Sequence, residues 1–113
     1  MAFRIEFVEG PHQGESYPLS DSQSVILGRS PSNNIYIKDR NVSRAHCLLR
    51  FEGGECMLED LGSTNGTFVN ERRVTETVLE EDDTVRIGLN KFQLKRYADE
   101  PLTETTTLLD DEI

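Results

Sequence analysis

Apolar and polar positions alternate from the start of the chain. In residues 3–8 (FRIEFV), Phe3, Ile5 and Phe7 fall on one side, with Arg4 and Glu6 on the other. That is the two-residue period of a half-buried strand. Short segments rich in β-formers recur at 15–19, 24–29, 35–37, 45–51, 56–61, 67–69, 84–88 and 91–97, with a weaker one at 71–79. Turn residues separate them, and no long window carries the apolar period and caps of a helix. The pattern predicts an all-β fold, an antiparallel sandwich or barrel.

Two Gly-containing pairs predict turns. Gly53-Gly54 as a two-residue hairpin loop sets Phe51 opposite Cys56 and Cys47 opposite Asp60. Cys47 and Cys56 then share a face but stand roughly 13 Å apart along the ladder. A disulfide needs Cα atoms within about 7 Å, so both are read as reduced thiols. Asn65-Gly66 reads as a type I′ hairpin turn, because both residues tolerate φ > 0.

Composition narrows the function. The 113 residues carry a net charge of −9, and six of the acids lie in 98–113, which has no Lys or Arg. Residues 1–97 form one domain's worth of chain, and 98–113 (ADEPLTETTTLLDDEI) reads as a flexible acidic tail. Neither part has the basic stripe of a nucleic-acid binder. No run is long and apolar enough to span a bilayer, and MAFRIEFVEG is not a signal sequence. The expectation is a cytoplasmic protein that engages neither membrane nor nucleic acid. His12 and His46 have no zinc-like spacing with the cysteines, and no Gly-Lys-[Ser/Thr] phosphate loop occurs. Ser43 lies near His46 but no acid orients the histidine. Neither an enzyme nor a cofactor or metal is expected.

Three loop motifs remain: LGRS (27–30), VSRAH (42–46) and GSTNG (62–66). Each alone reads as a turn with solvated side chains. A sandwich gathers loops at one end, and there the three would bring together Arg29, Arg44, Ser43, Ser63, Thr64 and Asn65. No carboxylate belongs to the set. Such a donor-rich cluster matches a small oxyanion, and a phosphorylated side chain carries about −1.5 to −2 charges with three acceptor oxygens.

In order and spacing, GRS (28–30), IYIKDRNVSRAH (35–46), LGSTNGTFVN (61–70) and TVRIG (84–88) resemble the forkhead-associated (FHA) domain, over about Phe3 to Tyr97. The resemblance implies an eleven-stranded β-sandwich that binds phosphothreonine peptides at one end. It implies a phosphate clamp at Arg29, a phosphate hydrogen bond from Ser43, and a variable contact at Arg44. Thr64 would complete the pocket, Asn65 would hold the peptide main chain, and Asn41 would select the third residue after the phosphothreonine. Gly28, His46, Ser63 and Gly66 are expected to support the loops. Asp82-Asp83 stands where the family often has Gly-Asp, and Asp tolerates the left-handed region better than most residues.

The tail adds a second expectation. Thr105, Thr106 and Thr107 have Leu108, Leu109 and Asp110 three residues on, and Glu104-Thr105-Thr106 is similar to a kinase-targeted motif of small bacterial FHA regulators, where it is N-terminal. A Ser/Thr kinase and a phosphothreonine partner are thus implied, with head-to-tail self-association through a phosphorylated tail as one outcome. A merely polar terminus is the other. At the level of function, the alternative is a constitutive interaction domain that ignores phosphate.

Overall fold

The computed structural model describes residues 2–20 and 23–97. The tail, including Thr105, Thr106 and Thr107, lies outside the described residues. Eleven strands form two sheets. One sheet contains β1 (Ala2–Glu9), β2 (Ser16–Leu19), β7 (Thr67–Val69), β8 (Arg72–Val74), β10 (Thr84–Ile87) and β11 (Asn90–Tyr97), in the order β2-β1-β11-β10-β7-β8. The other contains β3 (Ser24–Gly28), β4 (Ile35–Tyr36), β5 (Cys47–Glu52), β6 (Glu55–Asp60) and β9 (Glu76–Leu79), in the order β4-β3-β5-β6-β9. No described helix is long and apolar enough to cross a membrane.

The alternating positions meet between the sheets. Phe3, Ile5 and Phe7 of β1 are buried with Val25, Leu27, Leu49, Phe51, Leu58, Phe92 and Leu94. The Phe3 and Phe51 rings stack across the interface with centroids 5.0 Å apart. Burying a side chain of this size contributes roughly 1.5–3 kcal/mol, so two short-stranded sheets are held together chiefly by their inner faces.

The Gly53-Gly54 hairpin has the expected register, with Phe51 opposite Cys56 and Cys47 opposite Asp60. Both cysteines are free and buried. Burial raises the Cys56 thiol to about 12 and pushes Cys47 higher still, so neither is a nucleophile near neutral pH.

Two readings need correction. Asn65-Gly66 is not a hairpin turn. Gly66 has φ 93°, whereas Asn65 does not take a positive φ, and the segment carries the chain from β6 in one sheet to β7 in the other. The two-residue hairpin lies one strand later, at Asn70-Glu71 (φ 50° and 68°), joining β7 to β8. The weak 71–79 segment is likewise two strands. It breaks at Thr75, whose carbonyl accepts the Asp60 N–H at 2.8 Å while the chain changes sheets. Asp82, in the place of the family's glycine, takes φ 72° and keeps its turn by donating its N–H to Leu94 O.

Candidate functional site

Four connections meet at one end of the sandwich: β3–β4, β4–β5, β6–β7 and the β10–β11 turn. The backbones of the first two are stitched directly to each other. Arg29 N–H donates to Ser43 O (2.9 Å) and Ser30 N–H to Arg44 O (3.2 Å), while Asn33 Nδ2 also donates to Arg44 O. Gly28 makes this approach feasible. A Cβ at residue 28 would overlap the Arg44 carbonyl oxygen and crowd Asn33 Nδ2. Because the obstruction is backbone, Gly28→Ala is expected to cost at least the ~1–3 kcal/mol of an overpacked core site. Urea unfolding of the variant beside the wild type checks it.

His46 is buried and joins two of these loops. Its Nδ1 accepts the Ser43 N–H at 3.0 Å, so the ring proton sits on Nε2 and is donated to Gly66 O at 2.9 Å. The ring addresses the Ser43 backbone rather than its hydroxyl, which leaves no nucleophile–base pair. The Ser43 hydroxyl instead accepts the Thr64 N–H at 3.1 Å, and its own proton is available to a ligand. Asn65 Nδ2 donates to Asn41 O at 2.9 Å, which sets the amide plane.

Two carboxylates organise these loops, and sequence reading singled out neither. Asp60 accepts from Ser63 Oγ and Thr67 Oγ1, both at 2.6 Å, and from the Gly62 and Ser63 N–H groups at 3.0 Å. Ser63 Oγ in turn accepts the Gly66 N–H at 3.0 Å, so Ser63 shapes the loop from a buried position. Asp39 is buried as well. Its Oδ1 accepts the Asn41 N–H, and its Oδ2 accepts Leu89 N–H and Asn90 Nδ2, each at 2.8 Å. A signal existed for Asp60, since an acid two to seven residues before Gly, Ser and Thr is placed for this kind of local capping. Asp39 caps Asn41 locally, but its bonds to Leu89 and Asn90 cross fifty residues, and those left none.

The Asp60 carboxyl is held below its ordinary value. Burial alone raises it, but the hydrogen bonds from Ser63, Thr67 and the two backbone N–H groups outweigh burial. A depressed folded value contributes stability that is complete above the unfolded value and is lost as pH falls through the folded one. Asp60→Asn is therefore expected to destabilise the chain by about 1–2 kcal/mol at pH 7. The difference from the wild type should shrink below the usual Asp range near pH 3.8. Thermal unfolding of both proteins from pH 7 to pH 2.5 checks the sign.

Between the loops lies an open hollow lined by Arg29, Arg40, Asn41, Val42, Ser43, Thr64 and Asn65. Arg29 is exposed, but its Nε donates to Val42 O at 3.0 Å, which orients the guanidinium. The lining therefore includes Arg29, Ser43, Thr64, Asn65 and Asn41, brought together from three loops. Arg44 is exposed and outside the lining; Arg40, which sequence reading passed over, takes a place in it. Gly28, His46, Ser63 and Gly66 lie behind this surface. Among the described residues no carboxylate lines the hollow, since Asp39 and Asp60 are turned inward onto N–H and O–H donors. Among the described residues no cluster of His, Cys, Asp and Glu has metal-binding geometry.

The comparisons with known proteins agree with this architecture. The family model for the FHA domain matches residues 25–88. The glycogen accumulation regulator GarA of Mycolicibacterium smegmatis is 44% identical over 85 residues, covering 75% of this chain and 52% of that protein. The oxoglutarate dehydrogenase inhibitor of Corynebacterium jeikeium is 38% identical over 85 residues, covering 75% of this chain and 57% of that protein. The chain thus spans about half the length of the curated relatives it matches. A solved structure concerned with phosphothreonine-dependent FHA domain interactions superposes with a TM-score of 0.79 at 32% identity, covering 87% of this chain and 99% of that one. With the two-sheet topology, the matched family model and relatives above 30% identity in agreement, the chain belongs to the FHA domain family.

Proposed function

We propose that the hollow receives a phosphothreonine side chain and that the protein is a phosphothreonine-dependent binding module in Ser/Thr kinase signalling, not an enzyme. The observation that carries this reading is a lining with two guanidiniums, a spare hydroxyl proton and two amides, and no carboxylate among the described residues. A phosphate dianion needs several charge-assisted donors at once, and few other ligands match so one-sided a set. Arg29 clamps the phosphate with the guanidinium N–H groups not used on Val42. Ser43 donates its hydroxyl to a phosphate oxygen, and Arg40 supplies a second positive charge. Thr64 closes the pocket beside the threonine methyl, and Asn65 holds the ligand main chain with Asn41 alongside. Arg44 stands as a more distant cation. The names of the relatives, a regulator and an inhibitor, support a regulatory role for this chain too.

The tail supplies a ligand of the right kind if Thr105, Thr106 or Thr107 is phosphorylated. Asn90, at the start of β11, bonds Asp39 beneath the binding loops, whereas Tyr97 ends that eight-residue strand about 23 Å away. Nine residues separate Tyr97 from Thr106, a reach of at most ~30 Å when fully extended. Folding back into the chain's own hollow would use nearly all of it, so a neighbour's hollow is the easier target. Self-association of this head-to-tail kind need not close into a ring.

The test is calorimetric titration of the full, unphosphorylated chain. The probes are tail peptides singly phosphorylated at Thr105, Thr106 or Thr107, their unmodified twin, and a degenerate phosphothreonine peptide pool. Saturable binding of at least one phosphorylated probe and none of the unmodified peptide supports the reading. Indifference to phosphate would replace it with a constitutive interaction domain.

A further inference from the structure

Five threonines lie among the described residues: Thr64, Thr67, Thr75, Thr77 and Thr84. The Thr67 and Thr84 hydroxyls are hydrogen-bonded to Asp60 and Gln93, Thr77 Oγ1 donates to Val78 O, and Thr64 lines the hollow. Thr75 differs from all four. It is exposed on the crossover from β8 to β9, and its hydroxyl has no hydrogen-bond partner among the described residues.

Its neighbours suit a protein kinase as the reader. Arg72 and Arg73, three and two residues before Thr75, are exposed, and neither is in an ion pair among the described residues. Both lie on β8, so they project to opposite sides of an extended backbone. The acids that flank this segment are matched elsewhere: Glu71 with Arg86 and Lys91, and Glu76 with Arg50. A substrate groove that supplies carboxylates would hold both guanidiniums through bidentate, charge-assisted pairs. Access is open as well. β8 is the outer strand of one sheet and β9 the outer strand of the other, and only three residue pairs tie β8 to β7. A short edge strand of this kind opens locally at far less cost than global unfolding.

We infer that Thr75 is a phosphorylation site for a Ser/Thr kinase whose acidic groove reads Arg72 and Arg73. Thr75 Oγ1 attacks the terminal phosphorus of a nucleoside triphosphate. The Oγ1–P bond forms, the bond from that phosphorus to the bridging oxygen breaks, the nucleoside diphosphate leaves with the electron pair, and the hydroxyl proton passes to a base of the kinase. The tail threonines belong to a different enzyme class, since 98–113 has six acids and no Lys or Arg. The new group carries about −1.5 to −2 charges. It stands on the residue whose carbonyl accepts the Asp60 N–H, one hydrogen bond from the framework of the β6–β7 loop. The site does not depend on what the hollow binds.

The test incubates the folded full chain with magnesium ATP and the catalytic subunit of cyclic-AMP-dependent protein kinase, an arginine-directed enzyme. Fragment-ion mass spectrometry locates the product. The expected result is one phosphate on Thr75, absent from Thr75→Ala, with the initial rate about tenfold lower or less still when Arg72 and Arg73 are both replaced by Ala. Arg72→Lys with Arg73→Lys keeps the charge without the planar fork and should recover part of the rate. Circular dichroism shows that each variant compared is folded. A chain that takes no phosphate at Thr75, or takes it at a rate indifferent to both arginines, overturns the site. So does a peptide of residues 70–79 that is phosphorylated while the folded chain is not, because β8 would then keep Thr75 closed.

Discussion

Arg29→Ala is expected to lower phosphothreonine-peptide affinity by roughly ten- to a hundredfold, the value of one lost charge-assisted hydrogen-bonding partner of about 1.5–3 kcal/mol. Two effects combine. The variant removes a guanidinium from a lining that has only Arg40 to replace it, and it releases the Val42 carbonyl that Arg29 Nε holds at 3.0 Å. Arg29→Lys keeps the charge but cannot serve Val42 and the phosphate with one planar fork, so it should recover only part of the loss. Arg29 is exposed, and its replacement should leave the unfolding midpoint nearly unchanged. Titration calorimetry beside circular dichroism separates the two. A full-affinity Arg29→Ala would contradict the clamp.

His46→Ala should produce the largest loss of stability among the loop residues, about 2–5 kcal/mol. The substitution opens a cavity at a fully buried ring and strands the Ser43 N–H and the Gly66 carbonyl, which His46 satisfies from opposite edges. Leaving each such group unpaired costs about 1–3 kcal/mol, less where water enters. Ser43 and Gly66 belong to two different loops, so the same change should also loosen the frame that sets Ser43 against Thr64. Chemical unfolding gives the stability. Binding measured well below the unfolding midpoint shows whether affinity falls with it. A variant as stable as the wild type would mean that the ring does not bridge the loops.

What could be read from residues alone follows physical range. The register of β5 on β6 was legible because Gly53-Gly54 fixes it locally, with φ 61° and 80°. The inner face of β1 was legible because a two-residue period needs no partner to be seen. The Asn65-Gly66 turn misled because its residues suit a hairpin, but the tertiary structure uses Gly66 for a sheet crossover whose carbonyl meets His46. The true hairpin at Asn70-Glu71 has no glycine to announce it. Arg44 adjoins Ser43 whereas Arg40 lies three residues before it, and only the course of the loop decides that the more distant one lines the hollow. Asp39 reaches the β10–β11 turn fifty residues away, and no local pattern reports such a bond. The convergence of Arg29, Ser43, Thr64 and Asn65 was legible only through the combined spacing of three motifs, since each motif alone is an ordinary turn.

The most direct test of the phosphothreonine hollow is a ¹⁵N-resolved NMR titration of the full chain. The probes are the three singly phosphorylated tail peptides, the degenerate phosphothreonine pool and the unphosphorylated tail peptide. The account predicts saturable shifts at Arg29, Arg40, Asn41, Ser43, Thr64 and Asn65, with phosphorylated probes only. Shifts that appear equally with the unphosphorylated peptide, or that gather on a sheet face while these residues stay still, would contradict it.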